Sequence, residues 1–210
     1  MLQHSPVSLW LADQPLVLAS KSESRRAVLA AAAIPVEVLP ADIDERAIEG
    51  RAAVTGPGEV ATLLAREKAR AVAASRPGRL VLGADQTLAL RGRRFSKPAS
   101  LAAARDQLKA LRGTTHELCS ALALAHGDGD AIVFEHRETA RLTMRAFTDA
   151  FIERYVEAAG PAVTASVGGY QVEGLGIQLF ERIEGDHFTI LGLPLLPLLQ
   201  YLRRAGWLAE

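Results

Sequence analysis

Short apolar runs alternate with helix-forming segments in this sequence, and this alternation constrains the fold more than any other feature. Strand-like and helical patterns alternate at both ends of the chain, which favours an α/β fold. Two long apolar runs follow each other in the middle, which favours an antiparallel pair and therefore a mixed sheet. We predict strands at 16–19, 36–39, 80–82, 118–125, 132–147 and 177–183, turns at 92 and 127–130, and helices between residues 20 and 33, 57 and 77, 100 and 113, 148 and 159, and 194 and 206.

The length and charge of the chain bound the class of protein. Its 210 residues suit one domain, or one compact body with two lobes around a cleft. Its 24 basic residues balance 24 acidic ones, so neither nucleic acid nor an anionic membrane is expected as a partner. Residues 1–14 lack the features of a signal peptide, and no later segment could span a bilayer. We therefore expect an N-terminal extension over 1–14, one domain over 15–210 and a cytoplasmic location.

The single cysteine, Cys119, excludes an internal disulfide and a cysteine-based zinc site. It lies in an apolar run, so we predict a buried core thiol and not a nucleophile.

A loop rich in serine and arginine separates the first predicted strand from the first predicted helix. Ser20, Ser22 and Arg25 bring hydroxyls, backbone N–H groups and a guanidinium to one helix N-terminus, which suits a phosphate. The alternative is an ordinary capped helix with solvated arginines, and these residues alone leave it open.

An acidic segment and two lysines provide further candidates. Asp42, Asp44 and Glu45 follow the second predicted strand, and carboxylates combined with substrate phosphates are the ligands that Mg²⁺ prefers. Only four of the 24 basic residues are lysines, which singles out Lys68 and Lys97 as places where a compact ammonium is needed. The alternatives are an acidic surface loop and a solvated helix face.

The most specific pattern is the aspartate that follows the apolar run Leu80-Val81-Leu82. Asp85 comes after the small residues Gly83 and Ala84, and sites in α/β proteins open at the carboxyl ends of strands. There it would be desolvated on one side and open to a cleft on the other, as a metal ligand or general base requires. Lys97 follows the predicted hairpin and can return to the same cleft. Physical reasoning alone leaves a structural role for these residues equally open.

Together these patterns resemble the Maf family. The shared motifs run from about residue 16 to the C-terminus in the family's order, which chance does not explain. They are Leu18-Ala19-Ser20-Lys21-Ser22-Glu23-Ser24-Arg25, Asp42-Ile43-Asp44-Glu45, Lys68, Gly83-Ala84-Asp85, Lys97-Pro98, Leu111-Arg112-Gly113, Gly168-Gly169-Tyr170 and Gly192-Leu193-Pro194-Leu195.

The resemblance implies a fold, a reaction and a set of residues. The fold is an elongated mixed β-sheet flanked by helices, with two lobes around a deep cleft, as in Maf and ITPase-like enzymes. The reaction is hydrolysis of a nucleoside triphosphate between its α- and β-phosphates, assisted by a divalent cation (Mg²⁺, Mn²⁺ or Co²⁺), in a homodimer. The implied catalytic residues are Arg25, Glu45, Lys68, Asp85 and Lys97, with Glu45 and Asp85 as metal ligands. Which carboxylate holds the metal and which accepts the proton stays open.

Three positions that the family associates with substrate choice fall on Ser24, Gln86 and Glu173. Gln86 and Glu173 match the 7-methyl-GTP branch, whereas Ser24 matches neither the aromatic residue typical of that branch nor the arginine typical of the dTTP/UTP branch. A carboxylate at Glu173 complements the two adjacent donors of guanine, N1–H and the exocyclic amine. The expected substrate is therefore 7-methyl-GTP or another modified or non-canonical nucleotide, bound also by Ser20 and Ser22. The alternative within the family is dTTP or UTP.

Two other classes compete with a pyrophosphatase. A regulator of septum formation would bind nucleotides without turnover, but the complete set of five catalytic-type residues speaks against it. A phosphatase that releases orthophosphate from a triphosphate would be distinguished by its products.

Overall fold

The computed structural model describes residues 8–126 and 131–210, which form an open mixed sheet flanked by helices. The strands are β1 (Leu16–Leu18), β2 (Val36–Val38), β3 (Val81–Leu90), β4 (Arg93–Phe95), β5 (Thr115–Ala125), β6 (Ile132–Met144) and β7 (Phe180–Glu184). The helices are α1 (Glu23–Ala31), α2 (Glu45–Arg51), α3 (Pro57–Ala73), α4 (Leu101–Leu111), α5 (Asp149–Ala159), α6 (Ala162–Ala165), α7 (His187–Ile190) and α8 (Leu195–Arg204), with 3-10 turns at Val167–Gly169 and Leu175–Leu179.

The strand order of the sheet is β2-β1-β3-β5-β6-β7, and β4 pairs with β3 beside this path. Strand β1 is parallel to β2 and to β3. The pairings β3–β4, β3–β5, β5–β6 and β6–β7 are antiparallel. The predicted α/β fold with a mixed sheet is therefore confirmed, including the antiparallel pair in the middle.

Strand β3 connects two hydrophobic cores. Leu82 and Ala84 belong to a core that also contains residues of α1 and α8, whereas Leu88 belongs to a second core with residues of α4 and α5. This division agrees with a body of two lobes. Asp85 and Gln86 lie on the short stretch of β3 between the two cores, where polar side chains can meet a ligand.

Helix α3 packs closely against β3 at a glycine. A Cβ atom on Gly83 would lie 2.1 Å from the carbonyl oxygen of Ala65 and 2.6 Å from the backbone nitrogen of Ala69. Both contacts are to helix backbone, so the helix itself would have to move to admit a side chain. Gly83, two positions before Asp85, therefore fixes the distance between β3 and α3.

We expect Gly83→Val to destabilise the protein by about 3 kcal/mol or more, because the added side chain separates α3 from β3. The free energy of unfolding measured by urea titration checks this. Gly50→Ala is the matched control, because a Cβ atom there meets nothing within 4 Å. That helical change should raise stability by about 0.5–1 kcal/mol. Equal stability of Gly83→Val and wild type would contradict the close packing.

Several local predictions differ from the structure. The strand expected from residue 177 begins at Phe180, because Leu175–Leu179 forms a 3-10 turn. Helix α2 was not predicted, and the strand expected over 132–147 ends at Met144. Cys119 is buried on β5, as predicted. The predicted turn at 127–130 lies outside the described residues.

The N-terminal segment contacts the C-terminus. Trp10 is buried, and it forms an isolated antiparallel bridge with Leu208. Its indole Nε1–H donates to the backbone oxygen of Gln14 at 3.0 Å. The described part of the expected extension thus packs on the body of the protein, and a domain boundary at residue 15 stays a prediction. Within 8–126 and 131–210, every helix is too short or too polar to cross a membrane.

Candidate active site

One lysine joins two carboxylates between β3, α2 and α3. The Lys68 Nζ atom lies 2.7 Å from Asp85 Oδ1 and 2.7 Å from Glu45 Oε1. The side chains of Lys68 and Asp85 are only 13% and 12% exposed, whereas that of Glu45 is 48% exposed. The arrangement therefore runs from a buried carboxylate through a buried ammonium to a carboxylate open to solvent.

The environment of Asp85 makes its carboxylate more basic than that of an ordinary aspartate. Burial raises the pKa of Asp85, while the positive charges of Lys68 and Arg25 act in the opposite direction. Because Lys68 donates directly to Asp85, the carboxylate is also held in a defined orientation. A basic, oriented and partly desolvated carboxylate is suited to accepting a proton.

Arg25 is buried and bound to three separate segments of the chain. Its Nε donates to the Gly192 carbonyl at 2.9 Å, and its Nη1 donates to the Ala84 carbonyl at 2.9 Å and to Ser20 Oγ at 3.0 Å. These bonds use three of its five N–H donors and leave the two on Nη2. Burial lowers the pKa of Arg25, and the carboxylates of Asp85 and Glu45 oppose that shift. The guanidinium is therefore fixed in place, with Nη2 as its remaining donor nitrogen.

The two serines expected to cradle a phosphate also bind within the loop. Ser22 is the N-cap of α1, and its hydroxyl accepts the backbone N–H of Arg25. The Ser20 hydroxyl accepts the backbone N–H of Ser22 at 3.2 Å in addition to its bond from Arg25. These contacts are those of a capped helix, and they also place Ser20 directly beside the candidate site.

Gln86 faces the side of the sheet opposite Asp85, since neighbouring residues of a strand point to opposite faces. Its Nε2 lies 2.9 Å from Ser120 Oγ, 3.2 Å from the Thr189 carbonyl and 3.1 Å from the Ile190 carbonyl. The Gln86 amide is therefore anchored to β5 and α7.

Ser24 and Glu173 meet although 149 positions separate them in sequence. The Ser24 hydroxyl donates to Glu173 Oε1 at 2.9 Å. Glu173 is exposed and precedes the 3-10 turn Leu175–Leu179, while Ser24 lies in the first turn of α1. The contact leaves Glu173 Oε2 as the acceptor that faces solvent.

The structure brings together some of the predicted residues and leaves others apart. Lys97 lies exposed on the segment between β4 and α4, and in the described part of the chain no hydrogen bond or ion pair joins it to the other four catalytic candidates. Asp44 caps α2 through a bond from the backbone N–H of Ala47 at 3.0 Å, and Asp42 is exposed. Of the acidic segment, Glu45 is therefore the residue that reaches the site.

Two carboxylates are the candidate ligands for a divalent cation here. Within residues 8–126 and 131–210, no group of three or more His, Cys, Asp or Glu side chains surrounds a common point. Glu45 and Asp85 lie on either side of one positive charge, the Lys68 ammonium, so their oxygens already point toward a cationic position. Two carboxylates completed by phosphate oxygens and water fit the coordination that Mg²⁺ prefers.

Three contacts of the site involve residues that the sequence patterns did not single out for a role. Ser120 and Thr189 are fully buried and bind Gln86, and Gly192 binds Arg25 through its carbonyl. Gly192 has a φ of +93°, and a Cβ atom there would lie 3.5 Å from Arg25 Nε and 3.7 Å from Gln86 Cδ. The motif that begins at Gly192 was the available signal, because only glycine adopts this backbone conformation readily.

Several known proteins are similar to this chain. Residues 15–205 match the family of Maf-like proteins. A nucleoside triphosphate pyrophosphatase from Rhodopseudomonas palustris (strain BisB18) is 56% identical over 203 residues, covering 97% of this chain and all of the relative. A 7-methyl-GTP pyrophosphatase from Mesorhizobium japonicum is 50% identical over 195 residues, covering 92% of this chain and 97% of the relative. A solved HAM1 protein from Coxiella burnetii is similar at 19% identity and a TM-score of 0.43, covering 62% of this chain and 72% of that one.

The protein is an α/β protein with a mixed sheet. Its candidate site on β3 pairs a carboxylate that can accept a proton with a lysine that can bind an anion. The chain belongs to the Maf family, as its motifs predicted.

Proposed function

We propose that this protein hydrolyses a nucleoside triphosphate between its α- and β-phosphates and releases a nucleoside monophosphate and pyrophosphate. The observation that carries the proposal is the buried Asp85 carboxylate held by Lys68, with Arg25 and Glu45 beside it. The pyrophosphatase class is also the one named for relatives that are 50% and 56% identical to this chain.

The described side chains divide the work of such a hydrolysis. Asp85 accepts the proton of the attacking water, since its burial makes it more basic than an exposed aspartate. Arg25 Nη2 can donate to a phosphate oxygen, and the ammonium of Lys68 adds a second positive charge. Lys97 is exposed, and its long, flexible side chain can reach outward. We therefore assign it to the outer phosphates of the triphosphate.

Glu45 and Asp85 are the residues that would hold a divalent cation, with phosphate oxygens and water as the other ligands. When bound, such a cation would offset charge on the phosphates and lower the pKa of a bound water. Lys68 would then lose part of its hydrogen bonding to the two carboxylates, because the ammonium and the cation would compete for the same carboxylate oxygens.

We assign the base to the region of Glu173, Ser24 and Gln86. Glu173 can only accept hydrogen bonds, and Ser24 occupies one of its two oxygens. Guanine presents two neighbouring donors that suit the remaining acceptor positions, whereas uracil and thymine present one donor between two carbonyls. The substrate that fits best is 7-methyl-GTP or a related guanine nucleotide, which is also the base named for the relative from Mesorhizobium japonicum.

A substrate panel tests both levels of the proposal. With Mg²⁺ present, we expect higher kcat/KM for 7-methyl-GTP or GTP than for UTP, dTTP or CTP, with pyrophosphate and monophosphate as products. Glu173→Gln should move the preference toward UTP and dTTP by about tenfold, because an amide can both donate and accept. Glu181→Gln, a nearby exposed carboxylate on β7, is the matched control.

Each other outcome has a separate meaning. Preference of the wild type for UTP or dTTP overturns the base assignment and leaves the hydrolase in place. Release of orthophosphate overturns the bond assignment, and tight nucleotide binding without turnover favours a regulator. The homodimer expected from the family is likewise a proposal, which sedimentation measures directly.

A further inference from the structure

Three polar side chains form a row across the middle of the sheet. Gln86 on β3 pairs in register with Ser120 on β5, and Ser120 pairs in register with Glu138 on β6. Directly opposed residues of antiparallel strands point to the same face. The row therefore runs from the candidate site outward across two neighbouring strands.

Helix α7 covers this row, and one of its residues contacts every member. The Thr189 carbonyl accepts from Gln86 Nε2 at 3.2 Å and from Ser120 Oγ at 2.7 Å. The Thr189 hydroxyl donates to Glu138 Oε2 at 2.6 Å, and its backbone N–H donates to Asp186 Oδ1 at 3.0 Å. Thr189 is fully buried, so all three of its polar groups depend on these partners.

The contacts fix which way the Gln86 amide points. Two of the three acceptors around its Nε2 are backbone carbonyls, from Thr189 and Ile190, and carbonyls cannot donate. The amide nitrogen must therefore face α7, and the amide oxygen must face away from it. Gln86 consequently offers an acceptor, not a donor, to any group that approaches from the other side.

Glu138 holds α7 in the position that produces this orientation. Its Oε2 accepts from the Thr189 hydroxyl at 2.6 Å, closer than Asp186 Oδ1 at 3.4 Å, and its Oε1 lies 3.1 Å from His136 Nε2. A hydrogen bond to a carboxylate is stronger than one between neutral groups. The carboxylate thus connects strand β6 to the helix whose carbonyls orient Gln86.

We propose that Thr189 and Glu138 are positioning residues for base selection, acting through Gln86. They keep the Gln86 amide oxygen turned toward the substrate, where it accepts a donor from the base. This proposal rests on the function proposed above and extends it to two residues that do not touch the substrate.

Thr189→Val tests the proposal, because valine keeps the shape of threonine and removes the hydroxyl. We expect the ratio of kcat/KM between the preferred guanine nucleotide and UTP to fall about fivefold or more. The kcat for the preferred nucleotide should change less than twofold. Thr189→Ser should keep the wild-type ratio, because it retains the hydroxyl. Thr143→Val is the matched control, since the Thr143 hydroxyl, near the end of β6, pairs with the Thr115 hydroxyl at 2.9 Å and not with the row.

A double-mutant cycle separates positioning from a general structural role. In a Gln86→Ala background, Thr189→Val should cause no further change in the ratio, because the group it positions is gone. An equal fall in both backgrounds overturns the proposal. Glu138→Ala at a half-exposed position provides a second variant, with the same expected fall, if Thr189→Val does not fold. If the wild type hydrolyses triphosphates but the ratio is unchanged in Glu138→Ala and in any folded Thr189→Val, this inference alone is overturned. If the wild type shows no turnover, both proposals are overturned.

Discussion

Asp85→Asn should lower kcat by about 10²–10⁴-fold, the scale of a lost general base. Asparagine keeps the volume of aspartate and an oxygen that accepts from Lys68 Nζ, now 2.7 Å away, so the contact between β3 and α3 can persist. What the change removes is the basic, negatively charged carboxylate. Steady-state kinetics with the preferred triphosphate, alongside a thermal unfolding curve, measure the effect.

Asp42→Asn is the matched control for this experiment. It makes the same chemical change at an exposed position of the acidic segment, and kcat should stay within about twofold of wild type. A folded Asp85→Asn protein with near-normal kcat would exclude Asp85 both as the base and as an essential metal ligand.

Removal of divalent cations should abolish turnover, and Mg²⁺, Mn²⁺ or Co²⁺ should restore it. The expected loss is about 10²-fold or more, because the two carboxylates, Glu45 and Asp85, otherwise face the phosphates with only Lys68 between them. Assays after exhaustive chelation, followed by titration with each metal, measure this. Full activity of the chelated protein would remove the metal from the proposed mechanism.

Glu45→Gln examines the metal site at its exposed carboxylate. We expect the Mg²⁺ concentration for half-maximal activity to rise about tenfold or more, since one of two charged ligands is lost. Glu49→Gln on the same helix is the matched control, because the Glu49 carboxylate binds Arg94 at 2.6 Å instead. An unchanged metal requirement in Glu45→Gln would assign the cation to other groups.

The hydrophobic periodicity of the sequence predicted the helices and strands that bury an apolar face. It failed for elements without such a face. Helix α2 has no buried residue, so no apolar stripe marks it. The turn Leu175–Leu179 replaced the start of a predicted strand because Gly176 packs on the backbone of Gln171, where a Cβ atom would lie 2.4 Å from its oxygen. This close approach of two backbone segments overrides the local strand propensity, and the residue pattern alone does not reveal it.

The candidate site could be anticipated to the extent that its residues stand in recognisable motifs. Asp85, Lys68 and Glu45 each stood out by position or type, and the structure brings them into direct contact. Thr189 and Ser120 could not be found from the residue pattern, because a buried hydroxyl acquires its partner only when distant strands and helices come together. Arg25 stood out as a hydrogen-bond donor to a phosphate, but its three hydrogen bonds within the protein could not be predicted either.

Alternation along β3 places the proposed general base and the proposed base-selecting residue on opposite faces of one strand. Asp85 and Thr87 turn toward α3, and Gln86 turns toward α7. If these roles are correct, replacement of a residue on the α7 side changes base selection while the Asp85–Lys68 pair on the α3 side stays as it is. Insertion of one residue ahead of Asp85 would exchange the two sides and ruin both. For engineering, β3 thus offers two surfaces that share a single fixed register.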